Sequence, residues 1–168
     1  MDDHQPYFRF NPHAYEHGHI FERSADVCDV CSRPCVWKYT GSIFAKQSPS
    51  ACARCIADGE LARFLDDEHF ALQDIELHEA DPELAAELLQ RTPGVACFNP
   101  FEWPVLDGKP LAFFGNGEDE GLLAIPDVRS AIEAAFAEAG WEFEGPTPYA
   151  LIFQELEGER FRVAIDLD

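Results

Sequence analysis

The sequence predicts an α+β fold, in which a small N-terminal β module packs on a larger C-terminal half made of helices and strands. Two Cys-x-x-Cys pairs flank a stretch that is rich in aromatic and β-branched residues, which is typical of a metal-bound β module. Helix signals begin near residue 58, and two alternating apolar segments near the C-terminus predict a small antiparallel sheet.

The two cysteine pairs have the spacing of a zinc site with four thiolate ligands. A Cys-x-x-Cys turn presents two sulfurs to one metal, and two such turns complete a tetrahedral shell. We therefore predict one structural zinc ion bound by Cys28, Cys31, Cys52 and Cys55. A dithiol redox site is the alternative because Cys52 and Cys55 precede a predicted helix, but that chemistry has no use for the second pair.

Residues 1–60 are predicted to form a zinc-ribbon-like module with an N-terminal arm. Phe8 and Phe10 alternate as in a short edge strand. Aromatic and β-branched residues around Thr40-Gly41 predict a β-hairpin over residues 36–44, between the two cysteine pairs. A closed four-cysteine shell would hold this module together and would leave the zinc no open position at which to activate water.

Other possible ligands lie close to the cysteine pairs. Cys35 follows Cys31 by four residues, and we interpret it as a buried core thiol and not as a spare ligand. His13, His17 and His19 fall within seven residues. We interpret them as part of a polar loop, since four cysteines already suffice for one zinc.

Residues 61–168 are predicted to form the α+β part, with a soft boundary near residue 60. A first helix begins near Asp58, and Leu61, Phe64 and Leu65 form its apolar face. A second helix begins with Asp81 as its N-cap and Pro82 at its first position. The apolar stripe of this second helix consists of Leu84, Leu88 and Leu89.

The last 60 residues predict a strand, a helix and a hairpin. Leu111–Gly115 has the composition of a strand, and a third helix runs from its cap Asp127 to Gly140. Two final strands, Tyr149–Leu156 and Arg160–Leu167, are joined at Glu157-Gly158.

The charge of the chain limits the partners that it can bind. There are 32 acidic and 12 basic residues, for a formal net charge of −20. Such a charge repels nucleic acid and anionic lipid and favours a protein partner with a basic face. The N-terminus lacks a signal-peptide pattern and the chain lacks a membrane-spanning apolar run, so we expect a cytoplasmic protein. The sequence does not indicate an oligomeric state.

Catalytic motifs are missing from the sequence. There is no Gly-x-Ser-x-Gly elbow and no His-Glu-x-x-His, and Gly115-Asn116-Gly117 is followed by acidic residues that would repel phosphate. We interpret Cys97 as a buried lone thiol, and the acidic runs Asp66-Asp67 and Glu118-Asp119-Glu120 as solvated surface. The preferred hypothesis is a non-catalytic protein-interaction module. The alternative is an enzyme, a hydrolase or a thiol-dependent catalyst, with its site in the C-terminal α+β half.

Several short strings resemble the CbrC family of uncharacterised bacterial proteins over residues 6 to about 115. The two specific strings are Cys52-Ala53-Arg54-Cys55-Ile56-Ala57-Asp58-Gly59 and Arg91-Thr92-Pro93-Gly94. The remaining shared features are Phe8-x-Phe10 with Pro12, Cys28-x-x-Cys31, Tyr39-x-Gly41 with Phe44, Phe64, Phe70, Trp103 and Phe113-x-Gly115. The resemblance implies a cytoplasmic zinc protein without an established activity, linked by its family label to colicin tolerance, with Cys28, Cys31, Cys52 and Cys55 as the ligands.

The chain departs from this family pattern at two places. Relatives carry a His-Cys and a further Cys where this sequence has Leu106, Asp107 and Leu111. They carry another Cys-x-x-Cys where this sequence has Glu155 to Gly158. The resemblance thus implies that a second metal site of the family is absent here, and that the C-terminal half depends on its own apolar core.

Overall fold

The computed structural model describes residues 4–16, 20–66 and 69–167, which form an α+β fold as predicted. Five short helices and nine strands lie in the described residues. The strands are β1 (Phe21–Arg23), β2 (Trp37–Tyr39), β3 (Gln73–Asp74), β4 (Phe101–Glu102), β5 (Val105–Leu106), β6 (Lys109–Pro110), β7 (Ala112–Gly117), β8 (Thr147–Gln154) and β9 (Phe161–Ile165). The helices are α1 (Ala53–Ala57), α2 (Glu60–Phe64), α3 (Pro82–Arg91), α4 (Glu120–Leu123) and α5 (Pro126–Glu138).

The N-terminal module contains a small antiparallel sheet, but the predicted hairpin over residues 36–44 is wrong. Strand β2 pairs with β1, which lies upstream of the first cysteine pair, so that Phe21 lies opposite Tyr39. The Tyr39 ring covers the backbone at Gly41, where a Cβ atom would overlap the Tyr39 hydroxyl. The other edge of β2 is occupied as well, since the N–H of Tyr39 donates to the Ala51 carbonyl at 2.9 Å and Lys38 forms an antiparallel bridge with Cys52.

The N-terminal arm contacts both halves of the molecule. Phe8 and Phe10 lie in turns and not in the predicted edge strand, because the N–H of Asn11 donates to the carbonyl of Phe8. Phe8 packs in the N-terminal core with Phe21, whereas Phe10 is fully buried in the core of the C-terminal half. The N–H of Phe113 in β7 donates to the Phe10 carbonyl at 2.8 Å.

The helix predicted from Asp58 is divided into α1 and α2. Gly59 separates them with a φ of +70°, a left-handed conformation that favours glycine. Leu61 and Leu65 are buried as predicted, but Phe64 is 40% exposed, so its assignment to the apolar face is wrong. The buried positions of α2 are Leu61 and Ala62, so the face that it turns to the core does not include Phe64.

Helix α3 forms as the sequence predicts. The Asp81 side chain accepts hydrogen bonds from the N–H groups of Glu83 and Leu84, at 2.9 and 3.2 Å, and Pro82 occupies the first turn. Ala85 and Leu88 are the buried positions, while Leu84 and Leu89 are half-buried at the edge of the same core. The helix ends before Thr92, which is extended because Pro93 follows it.

The C-terminal half is built on a three-stranded antiparallel sheet in the order β7-β8-β9. Helix α5 covers one face of this sheet, where Val128, Ile132 and Phe136 share a core with Ala150 and Ile152. The predicted helix and the predicted hairpin are both confirmed, although the N-cap of α5 is Ile125 and not Asp127. Strand β8 begins two residues earlier than predicted, and β9 is shorter than predicted.

The other core of the C-terminal half surrounds Trp103, which is 1% exposed. Its ring lies 5.0 Å from that of Phe153 in β8. Its indole N–H donates to the carbonyl of Leu111 at 2.7 Å, which satisfies the polar atom of this buried side chain. Helix α3 contributes Leu88 to the same core.

Hydrogen bonds join the two sides of the predicted boundary near residue 60, which itself stays a prediction. The Arg91 guanidinium donates to the carbonyl of Ala57 at 2.8 Å. The N–H of Gly94 donates to the Tyr39 hydroxyl at 3.1 Å. Within the described residues, no helix has the length and apolar character needed to cross a membrane.

Candidate metal centre

The first cysteine pair lies on a tight turn. Val27 and Pro34 form an isolated antiparallel bridge, and the N–H of Cys28 donates to the carbonyl of Arg33 at 2.9 Å. The N–H of Ser32 donates to the Cys28 carbonyl at 2.8 Å, and Ser32 adopts a left-handed φ of +56°. The chain therefore reverses within a few residues, which is how a short turn brings two cysteine side chains to one point.

The second cysteine pair lies where the chain passes from an extended segment into α1. Cys52 forms a bridge with Lys38, and Cys55 follows one helical turn later. Two hydrogen bonds hold this segment against the first turn. The N–H of Asp29 donates to the Ser50 carbonyl at 2.8 Å, and the N–H of Ser50 donates to the Asp29 carboxylate at 2.7 Å.

The four predicted ligands meet in one buried cluster. The sulfurs of Cys28, Cys31, Cys52 and Cys55 all lie within 4.8 Å of one another. The Cys28 and Cys55 sulfurs are 3.7 Å apart, and those of Cys31 and Cys52 are 4.0 Å apart. A tetrahedron with Zn–S arms of about 2.3 Å has edges of about 3.8 Å, so both distances match a metal-sized arrangement. They are too long for a disulfide, which requires roughly 2.05 Å.

Backbone amides and neighbouring thiols set the electrostatics of the cluster. A hydrogen bond from the Cys55 thiol lowers the pKa of Cys52 to about 5, and the same interaction raises the pKa of Cys55. Burial raises the pKa of Cys28, although hydrogen bonds from the backbone of Cys31, Cys52 and Val30 oppose this effect. Amide donors directed at sulfur favour thiolate, which is the form that binds metal.

Two charged residues that the sequence analysis did not identify lie beside the sulfurs. The carboxylate of Glu60 is 3.1 Å from the Cys55 sulfur and 3.9 Å from the Arg33 guanidinium. The Arg33 guanidinium donates a hydrogen bond to Cys31, so a positive charge lies next to the sulfur. This contact raises the pKa of Arg33. Neither residue has a fixed position relative to a Cys-x-x-Cys pair, so spacing alone gave no signal for them.

The donor set fits a soft divalent metal. Four thiolates in a tetrahedral arrangement suit zinc, and they also suit iron, so the sulfurs do not by themselves identify the metal. Cys35 is fully buried beside the cluster but does not belong to the group of four. Its sulfur instead contacts the carbonyl of Trp37 at 3.8 Å, in agreement with a core role.

The other candidate residues lie away from this centre. His13 contacts Glu16 at 3.0 Å and packs against the Phe114 ring, while His17 and His19 lie outside the described residues. Cys97 is half-buried in the C-terminal half, where burial raises its pKa to about 11.

The acidic runs lie on the surface in the described part of the chain. Asp66 is exposed, and Asp67 lies outside the described residues. In the second run, Glu118 is exposed, and the Asp119 side chain caps α4 by accepting a hydrogen bond from Leu122.

The two segments in which the CbrC resemblance implies further cysteines in relatives lie side by side. One pocket is lined by residues of both segments, namely 106, 107, 109–111 and 155–157. Arg160 donates to Asp107 at 2.8 Å and to Glu155 at 2.5 Å, so one guanidinium joins the two segments. Ion pairs thus connect the positions at which the resemblance implies further cysteines in relatives.

Comparison with known proteins places the chain in a family. The family model described as Uncharacterised protein family (UPF0167) matches residues 5–151. The chain belongs to the UPF0167 family. The expectation of an uncharacterised family is confirmed, while the CbrC name stays a prediction.

Three curated UPF0167 relatives show the extent of the similarity. UPF0167 protein PA1536 of Pseudomonas aeruginosa is 30% identical over 146 residues, which cover 81% of this chain and 76% of that protein. UPF0167 protein Mb2317 of Mycobacterium bovis and UPF0167 protein MT2352 of Mycobacterium tuberculosis are each 28% identical over 142 residues, covering 81% of this chain and 73% of theirs. No solved structure matches the chain.

Proposed function

We propose that this UPF0167 member is a non-catalytic, cytoplasmic protein-interaction module whose N-terminal part is held together by one structural zinc ion. The proposal is supported mainly by the four convergent sulfurs, which leave a tetrahedral metal no open coordination position. The CbrC resemblance extends it to a role in colicin tolerance. A strain without the gene would then change its colicin sensitivity, and the gene for a zinc-free variant would not restore it.

The structural role of zinc follows from what the four ligands connect. Cys28 and Cys31 lie on a turn after β1, whereas Cys52 and Cys55 lie at the start of α1. The sheet formed by β1 and β2 contains only two strands of three residues each, which is too little to be stable alone. Metal binding in such modules supplies on the order of 10 kcal/mol of folding free energy.

The surface proposed for a basic protein partner covers residues 118–144. It carries eight exposed acidic side chains and one arginine, Arg129. Trp141 lies within this segment and is 58% exposed. Negative charge around an exposed tryptophan provides both steering and an anchor for a basic partner. We call residues 118–144 the acidic surface.

A binding experiment with matched variants tests this surface. The variant Glu138→Gln/Glu142→Gln/Glu144→Gln removes three charges around Trp141. The control Glu76→Gln/Glu79→Gln/Glu83→Gln removes three exposed charges elsewhere and has the same net charge. A cytoplasmic protein that cross-links to the wild type and to the control, but not to the first variant, supports the proposal. If both variants lose the cross-linked protein to the same extent, the proposal is contradicted, since binding of the partner would then depend only on net charge.

The alternative function is an enzyme with its site in the C-terminal α+β half. Such a site needs polar groups that converge on a cleft and are free to act on a substrate. Among the residues of this half that the structure describes, the buried carboxylate is that of Asp166, which is 2% exposed. It accepts hydrogen bonds from the N–H groups of Phe98 and Asn99, at 2.5 and 2.8 Å, and this contact supports a structural role for it.

A further inference from the structure

Strand β9 lies at one edge of the three-stranded sheet, with β8 on one side and no described strand on the other. Just beyond its C-terminal end, the N–H of Asp166 donates to the Tyr149 carbonyl, and just before its start the Arg160 carbonyl accepts the N–H of Glu155. Even-numbered positions therefore direct their backbone groups to β8. Because these groups alternate along a strand, the odd-numbered positions direct theirs outwards. The outward residues are Phe161, Val163 and Ile165.

This outward side, which we call the β9 edge, lacks the features that usually protect a strand from further pairing. β9 keeps a continuous register with β8 over five residue pairs, without a bulge or a proline. The opposite edge of the sheet differs, because β7 has two register shifts and the N–H of its Phe113 is bonded to the Phe10 carbonyl. On the β9 edge, the Arg162 guanidinium donates to the Phe161 carbonyl at 3.0 Å, and within the described residues no other bond reaches the outward groups. An edge of this kind can accept a further strand.

The side chains along the β9 edge leave apolar surface uncovered. Phe161, Val163 and Ile165 face α5 and pack against its core, but all three are only half-buried. Since side chains alternate between the faces of a sheet, Arg162 and Ala164 lie on the face away from α5. An added strand would cover the remaining apolar surface of the three odd-numbered residues while it pairs with their backbone.

The charge on the α5 side of this edge is negative. Helix α5 belongs to the acidic surface, and Glu138 is one of its exposed carboxylates. The nearby arginines are already engaged, since Arg129 pairs with Glu133 at 3.4 Å and Arg160 pairs with Asp107 at 2.8 Å. These charges favour a basic occupant. A second copy of the chain is unfavourable because it carries the same net charge of −20.

We propose that the β9 edge binds an extended basic segment of a partner protein as an additional antiparallel strand. Lysine or arginine side chains of this segment would lay their aliphatic stems on Phe161, Val163 and Ile165 and direct their charges to the acidic surface. The alternate side chains, on the side of Arg162, would be uncharged. The inference rests on the proposed function, because it specifies how the basic partner of the acidic surface docks.

Val163 is the residue to change, because its N–H points away from β8. Val163→Pro removes this outward donor without changing a charge or removing a bond of the β8–β9 ladder, and proline is tolerated at such positions of an edge strand. Val163→Thr is the matched control, since it keeps the N–H and the β-branched shape. Urea unfolding of each purified variant shows whether the fold is intact.

The probe is a dye-labelled hexapeptide of alternating lysine and threonine, and fluorescence anisotropy measures its binding. A second peptide has the same sequence and charge but carries methyl groups on the amide nitrogens of its lysines, which face β9 in the proposed pairing. The wild type should bind the methylated peptide about fivefold to tenfold more weakly than the unmethylated one. Val163→Pro should weaken binding of the unmethylated peptide by a similar factor, whereas Val163→Thr should bind it like the wild type.

Several results would overturn the proposal. Equal affinity of the wild type for the two peptides would show that backbone pairing plays no part, and this test does not depend on the stability of any variant. Equal binding of a hexapeptide with glutamate in place of lysine would show that basic side chains are not recognised. A mass in sedimentation that rises with protein concentration, and no longer does so in Val163→Pro, would assign the edge to a second copy of the chain.

The failure of this inference can be told apart from the failure of the proposed function. If Glu138→Gln/Glu142→Gln/Glu144→Gln weakens binding of the hexapeptide and Val163→Pro does not, the acidic surface binds basic partners but the β9 edge is not their docking site. If neither variant weakens binding, both proposals are contradicted.

Discussion

The contact between Tyr39 and Gly94 predicts a specific coupling between two substitutions. The Tyr39 hydroxyl is buried and accepts the N–H of Gly94 at 3.1 Å. Tyr39→Phe removes this acceptor, and a buried donor left without a partner costs about 1–3 kcal/mol of unfolding free energy. In Gly94→Ala the new Cβ would lie 2.7 Å from the same hydroxyl, and this overpacking costs about 1–3 kcal/mol.

The double variant should be less destabilised than the sum of the two single variants. Without the hydroxyl, the nearest heavy atom to a Cβ added at Gly94 is the Cβ of Ala71 at 3.3 Å, so the serious clash disappears. When Tyr39→Phe is already present, Gly94→Ala should therefore cost less than it does in the wild type, with only a small shift of Ala71 left to accommodate the new methyl group. The double variant should therefore be more stable than the sum of the two single effects predicts. The difference, which is the coupling free energy, should correspond to the relieved clash of about 1–3 kcal/mol.

Urea unfolding measures these differences. With an m-value of about 2 kcal/mol/M, each single variant should lower the unfolding midpoint by roughly 0.5–1.5 M. Tyr7→Phe is the control, because Tyr7 is 75% exposed and its hydroxyl is expected to contribute nothing measurable. Strict additivity of Tyr39→Phe and Gly94→Ala would refute the packing described here. A separate transition for each half would show that the contact does not couple them.

Three further predictions concern the metal centre, a helix cap and a buried thiol. Cys28→Ser and Cys55→Ser should each lower metal content and thermal stability together, and full metal retention by both would show that the ligand assignment is wrong. Asp81→Ala should destabilise by about 0.5–2 kcal/mol in urea unfolding because it removes the α3 N-cap, and an unchanged midpoint would contradict this. Burial raises the pKa of Cys97 from about 9 to about 11, so the unfolded chain loses this proton first. Stability should therefore fall between pH 9 and 11, and Cys97→Ala should reduce that fall; an identical pH profile would contradict the prediction.

Local signals made part of the fold predictable. The start of α3 is determined by its N-cap Asp81 and by Pro82 in its first turn. Both act within one helical turn, so a short stretch of sequence is enough to predict it. The C-terminal hairpin was also predictable, since alternating apolar residues and a Glu-Gly turn specify it within about 20 residues of sequence.

Long-range contacts account for the elements that the sequence did not predict. Strand β2 pairs with β1 across 13 intervening residues, from Arg23 to Trp37, and nothing within residues 36–44 indicates that partner. Phe10 leaves the predicted strand because its side chain fills the core of the other half. Tertiary packing of this kind overrides the local alternation of apolar residues. It depends on contacts between the two halves, so a short stretch of sequence does not reveal it.

The candidate site was predictable in its ligands but not in its surroundings. The spacing of the four cysteines reflects how short turns present sulfur to a metal, so the residues can be read from the sequence alone. Glu60 and Arg33 reach the sulfurs through tertiary placement of α2 and of the first turn. Their positions relative to the cysteines follow no rule of spacing.

X-ray absorption spectroscopy at the zinc edge, combined with elemental analysis of the purified protein, tests the proposed metal centre most directly. The four-sulfur geometry predicts one zinc per chain with four sulfur neighbours at about 2.3 Å and no nitrogen or oxygen ligand. A protein purified under reducing conditions that folds with no bound metal, or a zinc shell that includes histidine or water, would contradict the account.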